Sequence, residues 1–155
     1  MKRKRVKPVP AGYHAVTPYL SVRGAAEAID FYKKAFGATE RMRFDAPGGR
    51  IGHAEIDIEG GLIMLADAHP EMDFRSPNTL GGSSVTIHIY VSDVDAFCAR
   101  AAAAGAKVLR PVADQFYGDR SCQLRDPYGH TWSVATHVED VSPEEMQKRA
   151  AKLGG

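Results

Sequence analysis

The sequence predicts an α+β fold: two βαβββ modules forming a curved mixed sheet around a central cavity, with helices outside. Three observations predict it. The run from Val22 through Ala25, Ile29 and Phe36 to Gly37 returns from Val91 through Val94, Phe97 and Ala101 to Gly105. Each copy is a β-branched run, an apolar helix and a Gly stop followed by Ala. A second echo sets Arg50-Ile-Gly-His-Ala-Glu-Ile, closed by Gly60-Gly61, against Arg120-Ser-Cys-Gln-Leu-Arg-Asp, closed by Gly129. Finally, half of 155 residues is too little chain to bury a good core alone. The halves must pack on each other, and a seam between two concave units is a natural ligand site.

The elements follow in order. Residues 1–12 read as a flexible basic arm. Module 1 occupies 13–68. It opens with a strand over His14–Val22, placing Val16, Leu20 and Val22 on one face and Thr17, Tyr19 and Ser21 on the other. Pro18 lacks a donor and marks an edge or bulge. Ala25, Ala28, Ile29, Tyr32 and Phe36 then recur at helical spacing. Strands follow near 38–45, 51–59 and 62–67, separated by Pro47-Gly48-Gly49 and Gly60-Gly61. Residues 69–83, broken by His69-Pro70, Ser76-Pro77 and Gly81-Gly82, read as a linker. Module 2 occupies 84–138. A strand over 84–91 leads to a helix capped by Ser92 with Asp95 three residues on, striped by Val94, Phe97, Cys98 and Ala101. Strands follow near 107–112, 118–125 and 130–137, the last two joined by the turn Asp126-Pro127-Tyr128-Gly129. Alternation puts Trp132 in the core. Residues 139–155 form a C-terminal helix and tail, with Ser142 as N-cap and Pro143 at the first helical position.

Composition narrows the function classes. A hydrophobic share of 44% and a charged share of 25% are ordinary for a globular protein. A net charge of +1 argues against nucleic acid as a partner, and the basic run Met1 to Arg5 is short and isolated. No apolar stretch follows it, so neither a signal peptide nor a membrane partner is expected. Cys98 and Cys122 match no zinc or disulfide pattern, which fits core packing and a cytoplasmic, reducing setting.

The chemistry-bearing residues lie on strand faces turned away from the helices. His53, Glu55 and Asp57 alternate on the third strand; Thr86, His88 and Tyr90 alternate on the fifth. If both strands line one cavity, His53, Glu55 and His88 converge as a candidate acid–base set or a relocated metal site. The plainer alternative is a row of hydrogen-bonded polar residues on a wet sheet face. Gln115-Phe116-Tyr117-Gly118-Asp119-Arg120 reads as a substrate loop in which Tyr117 stacks and Arg120 forks onto a carboxylate or phosphate, or as a structural turn. Tyr19, Thr86, Tyr90, Gln115, Tyr117, Arg120 and Gln123 are the candidate ligand contacts. His14, His130 and His137 at strand ends, and His69 in the linker, take surface or turn roles.

The duplicated βαβββ pattern, with Ile29-Asp-Phe-Tyr-Lys-Lys-Ala-Phe-Gly37 and Asp126-Pro-Tyr-Gly-His130, resembles the vicinal oxygen chelate superfamily of glyoxalases, extradiol dioxygenases and fosfomycin- and bleomycin-resistance proteins. Gly52-His-Ala-Glu-Ile56 and the 115–120 segment resemble its PhnB-like branch. The resemblance implies metal ligands of His, Glu or Gln type on the first and fourth strands of each module. Here those positions carry Thr17, Met64, Thr86 and Ser133, which do not make a divalent metal site.

Two functions follow. One is a metal-free small-molecule binder of the cup type, with no cofactor. The alternative is a glyoxalase-like lyase or isomerase with a relocated metal or a His/Glu acid–base site. Open strand edges and the family resemblance point to a homodimer.

Overall fold

Two four-stranded sheets, joined by helices rather than by a shared strand, make up the computed structural model, which describes residues 4–154. The start of the basic arm, residues 1–3, lies outside the described residues. The first module runs β1 (Tyr19–Val22), α1 (Ala25–Phe36), β2 (Thr39–Ala46), β3 (Arg50–Ile58) and β4 (Gly61–Asp67). A 3-10 turn and the short helix α2 (Pro77–Leu80) follow. The second module then repeats the order as β5 (Thr86–Tyr90), α3 (Val94–Ala104), β6 (Lys107–Asp114), β7 (Asp119–Arg125) and β8 (Thr131–His137), before α4 (Pro143–Leu153). The strand orders, β1-β4-β3-β2 and β5-β8-β7-β6, are the same in the two modules. In each sheet the first strand pairs parallel with the fourth and the remaining pairs are antiparallel.

The first strand is shorter than its pattern predicts. Pro18 has no N–H to give the ladder, so regular pairing begins at Tyr19, and Val16 is exposed rather than packed. The helix stripes are as predicted: Ala25, Ala28, Ile29, Tyr32 and Phe36 are all buried. The caps differ. Gly24 brings no capping side chain to α1; the Asp67 carboxylate accepts from Gly24 and Ala25 N–H at 3.0 Å each, and from Ile51 N–H at 2.7 Å. A negative group at a helix N-terminus is favoured by the orphan N–H groups and the dipole together. On α3 the N-cap is Asp93, accepting from Ala96 N–H, and not Ser92.

The sheets do not close on each other, and the helices lie between them. Phe36 of α1 stacks on Phe97 of α3 at 5.2 Å and meets the buried Trp132 of β8 edge-on at 4.9 Å. Arg100 of α3 donates to the carbonyls of Lys34 (2.7 Å) and Lys33 (3.2 Å), filling acceptors left free at the end of α1. Asp126, buried in the turn before β8, accepts from Tyr32 Oη (2.6 Å), Trp132 Nε1 (2.8 Å) and the N–H groups of Tyr128 and His130. The cavity expected between the modules is therefore not enclosed by a single chain: each sheet keeps one face free.

The 69–83 segment is ordered against both modules. His130, read as a surface or turn residue, closes the Asp126 turn and is buried, with Nε2 3.0 Å from the Ser21 carbonyl. Asn78 donates to the Pro127 carbonyl at 3.0 Å. Gly129 sits at φ 90°, and a Cβ there would run into Pro77 and Asn78, so only glycine lets the turn seat on α2.

Candidate functional site

Ala54, Ile56 and Ile58 of β3 point into the core against α1, so alternation sends His53, Glu55 and Asp57 to the free face. The register sets Glu55 opposite Met64, and Met64 beside Tyr19. Four polar side chains join there. Tyr13 Oη donates to Glu55 Oε2 at 2.7 Å, Glu55 Oε1 lies 3.1 Å from His53 Nε2, and His53 Nδ1 lies 2.6 Å from Tyr19 Oη.

Burial opposes the charge on Glu55. The hydrogen bonds from Tyr13 and His53 outweigh it and hold the carboxyl below the usual carboxylate range. An ionised Glu55 accepts only, so a neutral His53 carries its proton on Nε2 and offers Nδ1 to the Tyr19 hydroxyl. Burial, and then the Glu55 charge, push the Tyr19 phenol upward, keeping it protonated. The result is a Glu–His–Tyr chain with a fixed tautomer. Tyr13 was not among the candidates, because it precedes the first strand and no alternation reaches it. It is placed by a turn, Tyr13 N–H to the Pro10 carbonyl at 3.2 Å, and by Arg41, whose guanidinium lies over its ring at 5.4 Å.

The second sheet carries a different row. His88, Ser133 and Gln123 are in register, and His88 Nδ1 lies 2.9 Å from Ser133 Oγ. Thr86 is exposed opposite Thr131. Tyr90 Oη donates to Asp119 Oδ2 at 2.9 Å, and His137 bridges Asp119 Oδ1 (2.8 Å) and Asp140 Oδ1 (2.7 Å). Hydrogen bonds donated to the two carboxylates, Asp140 first, raise the His137 imidazole. From the sequence Asp119 is legible only as part of the 115–120 segment, and His137 only as a surface or turn residue.

Of the expected catalytic trio, His53 and Glu55 meet, but His88 does not join them within one chain, since the two sheets are separated by α1 and α3. Gln115 and Tyr117 lie in the β6–β7 turn, where Gln115 N–H bonds the Asp119 carbonyl and Tyr117 packs edge-on against Phe116 at 5.2 Å. Arg120 needs correction as a ligand contact. It has the same strand parity as the buried Cys122 and Leu124, so it faces the helix side. There it forks onto Asp95 at 2.8 and 2.9 Å and reaches Asp114 at 3.1 Å.

The family's usual metal positions present hydroxyls at Thr17, Thr86 and Ser133 and a thioether at Met64, weak donors for a divalent ion. Among the described residues, no three His, Cys, Asp or Glu side chains gather in a way that holds a metal ion. A cavity of about 610 Å³ does open beside the relay, between the first sheet and the 69–74 turn, with Tyr19 in its wall.

Duplicated βαβββ modules with mixed sheets, each with one free face, define the class. This chain belongs to the glyoxalase/bleomycin resistance protein/dioxygenase superfamily, whose family model matches residues 13–134. An uncharacterized protein of Mycobacterium tuberculosis is 44% identical over 143 residues, 90% of this chain and 84% of the relative. Among solved structures, TioX from Micromonospora sp. ML1 is similar with a TM-score of 0.64 and 28% identity, covering 81% of this chain and all of that one. The fosfomycin resistance protein FosX from Listeria monocytogenes, solved with Mn(II) and sulfate, shares the fold with a TM-score of 0.62, at 18% identity over 88% of this chain and 97% of its own. No helix among the described residues is long and apolar enough to cross a membrane.

Proposed function

We propose that this chain is a PhnB-like member that binds a small organic molecule on its free sheet faces, without a divalent metal at the family's usual place. The donor set carries the reading. Hydroxyls and a thioether stand at Thr17, Met64, Thr86 and Ser133, whereas aromatic and hydrogen-bonding groups (Tyr19, His53, His88, Tyr90) line the two faces. The PhnB-like placement rests on Gly52-His-Ala-Glu-Ile56 and the 115–120 segment. A homodimer completes each cup, a reading supported by the face that each sheet leaves uncovered by the helices. Nucleic acid and membrane are not partners in this reading, and the free, buried Cys98 and Cys122 suit the cytoplasm.

A thermal-shift screen of small organic compounds, run with and without chelator, tests it. Binding raises the melting temperature by mass action, and the rise is expected to be unchanged by chelator. A shift that vanishes on chelation and returns with a divalent metal overturns the metal-free reading.

One observation favours a second reading, an acid–base lyase or isomerase. The Tyr13–Glu55–His53–Tyr19 chain aligns a carboxylate, an imidazole and a phenol as proton-transfer groups do. In that case turnover of α-hydroxycarbonyl or related substrates is lost in both H53A and E55Q; a merely binding role leaves no turnover to lose.

A further inference from the structure

We infer that the cavity between the 69–74 turn and the first sheet is a binding site for a planar aromatic acid. This deepens the small-molecule reading above and rests on it. At about 610 Å³ the cavity falls within the range of ligand pockets. Its walls are apolar and aromatic. Phe74 stands edge-on to Tyr19 at 5.6 Å, which gives the wall an aromatic surface for a flat ring to pack on, and Ile51, Ala66, Met72 and His69 are among the other lining residues. The small Ala66 keeps the floor open on the same sheet face as His53.

The two ends of the cavity differ in chemistry. At one end the Tyr19 hydroxyl lies 2.6 Å from His53 Nδ1, and its oxygen can accept from a ring N–H or O–H. At the other end stands Arg50. One of its nitrogens bonds the Ala68 carbonyl, and the guanidinium forms no ion pair among the described residues. Arg50 also lines an adjoining hollow together with Arg23, Gly24 and Asp67. Asp67 lies in the same wall, but its two oxygens are taken by three backbone N–H groups, including the start of α1. A forked guanidinium with free donors matches a carboxylate.

Isothermal titration with indole-3-carboxylate, 1-methylindole-3-carboxylate and indole tests each part. The wild type is expected to bind indole-3-carboxylate at least about tenfold more tightly than either analogue, roughly 1.4 kcal/mol. Arg50→Gln is expected to abolish the advantage over indole. Met72→Glu, at an exposed position that leaves the core untouched, is expected to weaken all three, with an unchanged melting temperature as the control. Saturable binding indifferent to both substitutions overturns the location while leaving the small-molecule reading standing. Binding of other screened compounds but of none of these three overturns the ligand class. Failure of every compound to bind overturns the underlying reading as well.

Discussion

Tyr32, at the centre of α1, donates a 2.6 Å hydrogen bond to Asp126 in the last hairpin turn, tying the helix of one module to the sheet of the other. Asp126 accepts four hydrogen bonds while buried, so its carboxylate is solvated by protein instead of water.

Removing that carboxylate strands four donors. Asp126→Ala is expected to cost about 3–5 kcal/mol, the range for leaving buried partners uncompensated, and Tyr32→Phe about 1–2 kcal/mol. Urea unfolding monitored by Trp132 fluorescence measures both. A loss below about 1 kcal/mol for Asp126→Ala contradicts the role given to it.

Glu55 makes stability depend on acid pH. Burial disfavours its charge, but the hydrogen bonds from Tyr13 and His53 prevail and its folded carboxyl lies below the unfolded one. The contribution is therefore present above the unfolded carboxylate range and lost as pH falls through the lowered folded value. Between pH 6 and pH 3 the urea midpoint of wild type is expected to fall further than that of Glu55→Gln. Parallel curves rule the relay out as a source of stability.

His137 works in the opposite sense. Hydrogen bonds to Asp140 and then Asp119 raise its folded value, so its contribution is full below the unfolded histidine range and disappears as pH rises through the raised value. Hydrogen exchange in residues 138–142 is expected to speed up between pH 6 and pH 8.5 beyond the intrinsic rate change. In His137→Ala that excess disappears; an excess that persists in the variant removes the tether.

Gly118 has φ 97°, and a Cβ there would collide with the Glu139 carbonyl. Its own carbonyl accepts from Val138 and Glu139 N–H, at 2.9 and 3.0 Å, so the backbone has no slack. Gly118→Ala is expected to destabilise by about 1–3 kcal/mol, the usual size of a strained left-handed position. A melting temperature equal to wild type refutes the contact.

The repeat, the helix stripes and the alternation on β3 were legible because each rests on local periodicity. That is why Ile29, Trp132 and the His53–Glu55 pair were found. Arg120 was misplaced although the signal existed: counting back from Cys122 and Leu124 puts it on the helix side, but treating 115–120 as a loop broke the count. Tyr13, Asp67 and the bond of Asp126 to Tyr32 were beyond reach for another reason. Their roles depend on partners distant in sequence, and a capping carboxylate supplied from β4 leaves no mark near the helix it caps. How the two sheets face each other is likewise decided by Phe36, Phe97 and Trp132 meeting across modules, a three-body contact that no repeat encodes.

The stack of Phe36 on Phe97 and Trp132 has a consequence for how the protein comes apart. Because one continuous cluster of buried side chains runs from Leu20 to Val134, neither repeat owns a core of its own. Cutting the chain in the 69–83 segment is expected to yield no folded half. The two repeats thus share one interior, and a change where the helices touch is felt by both.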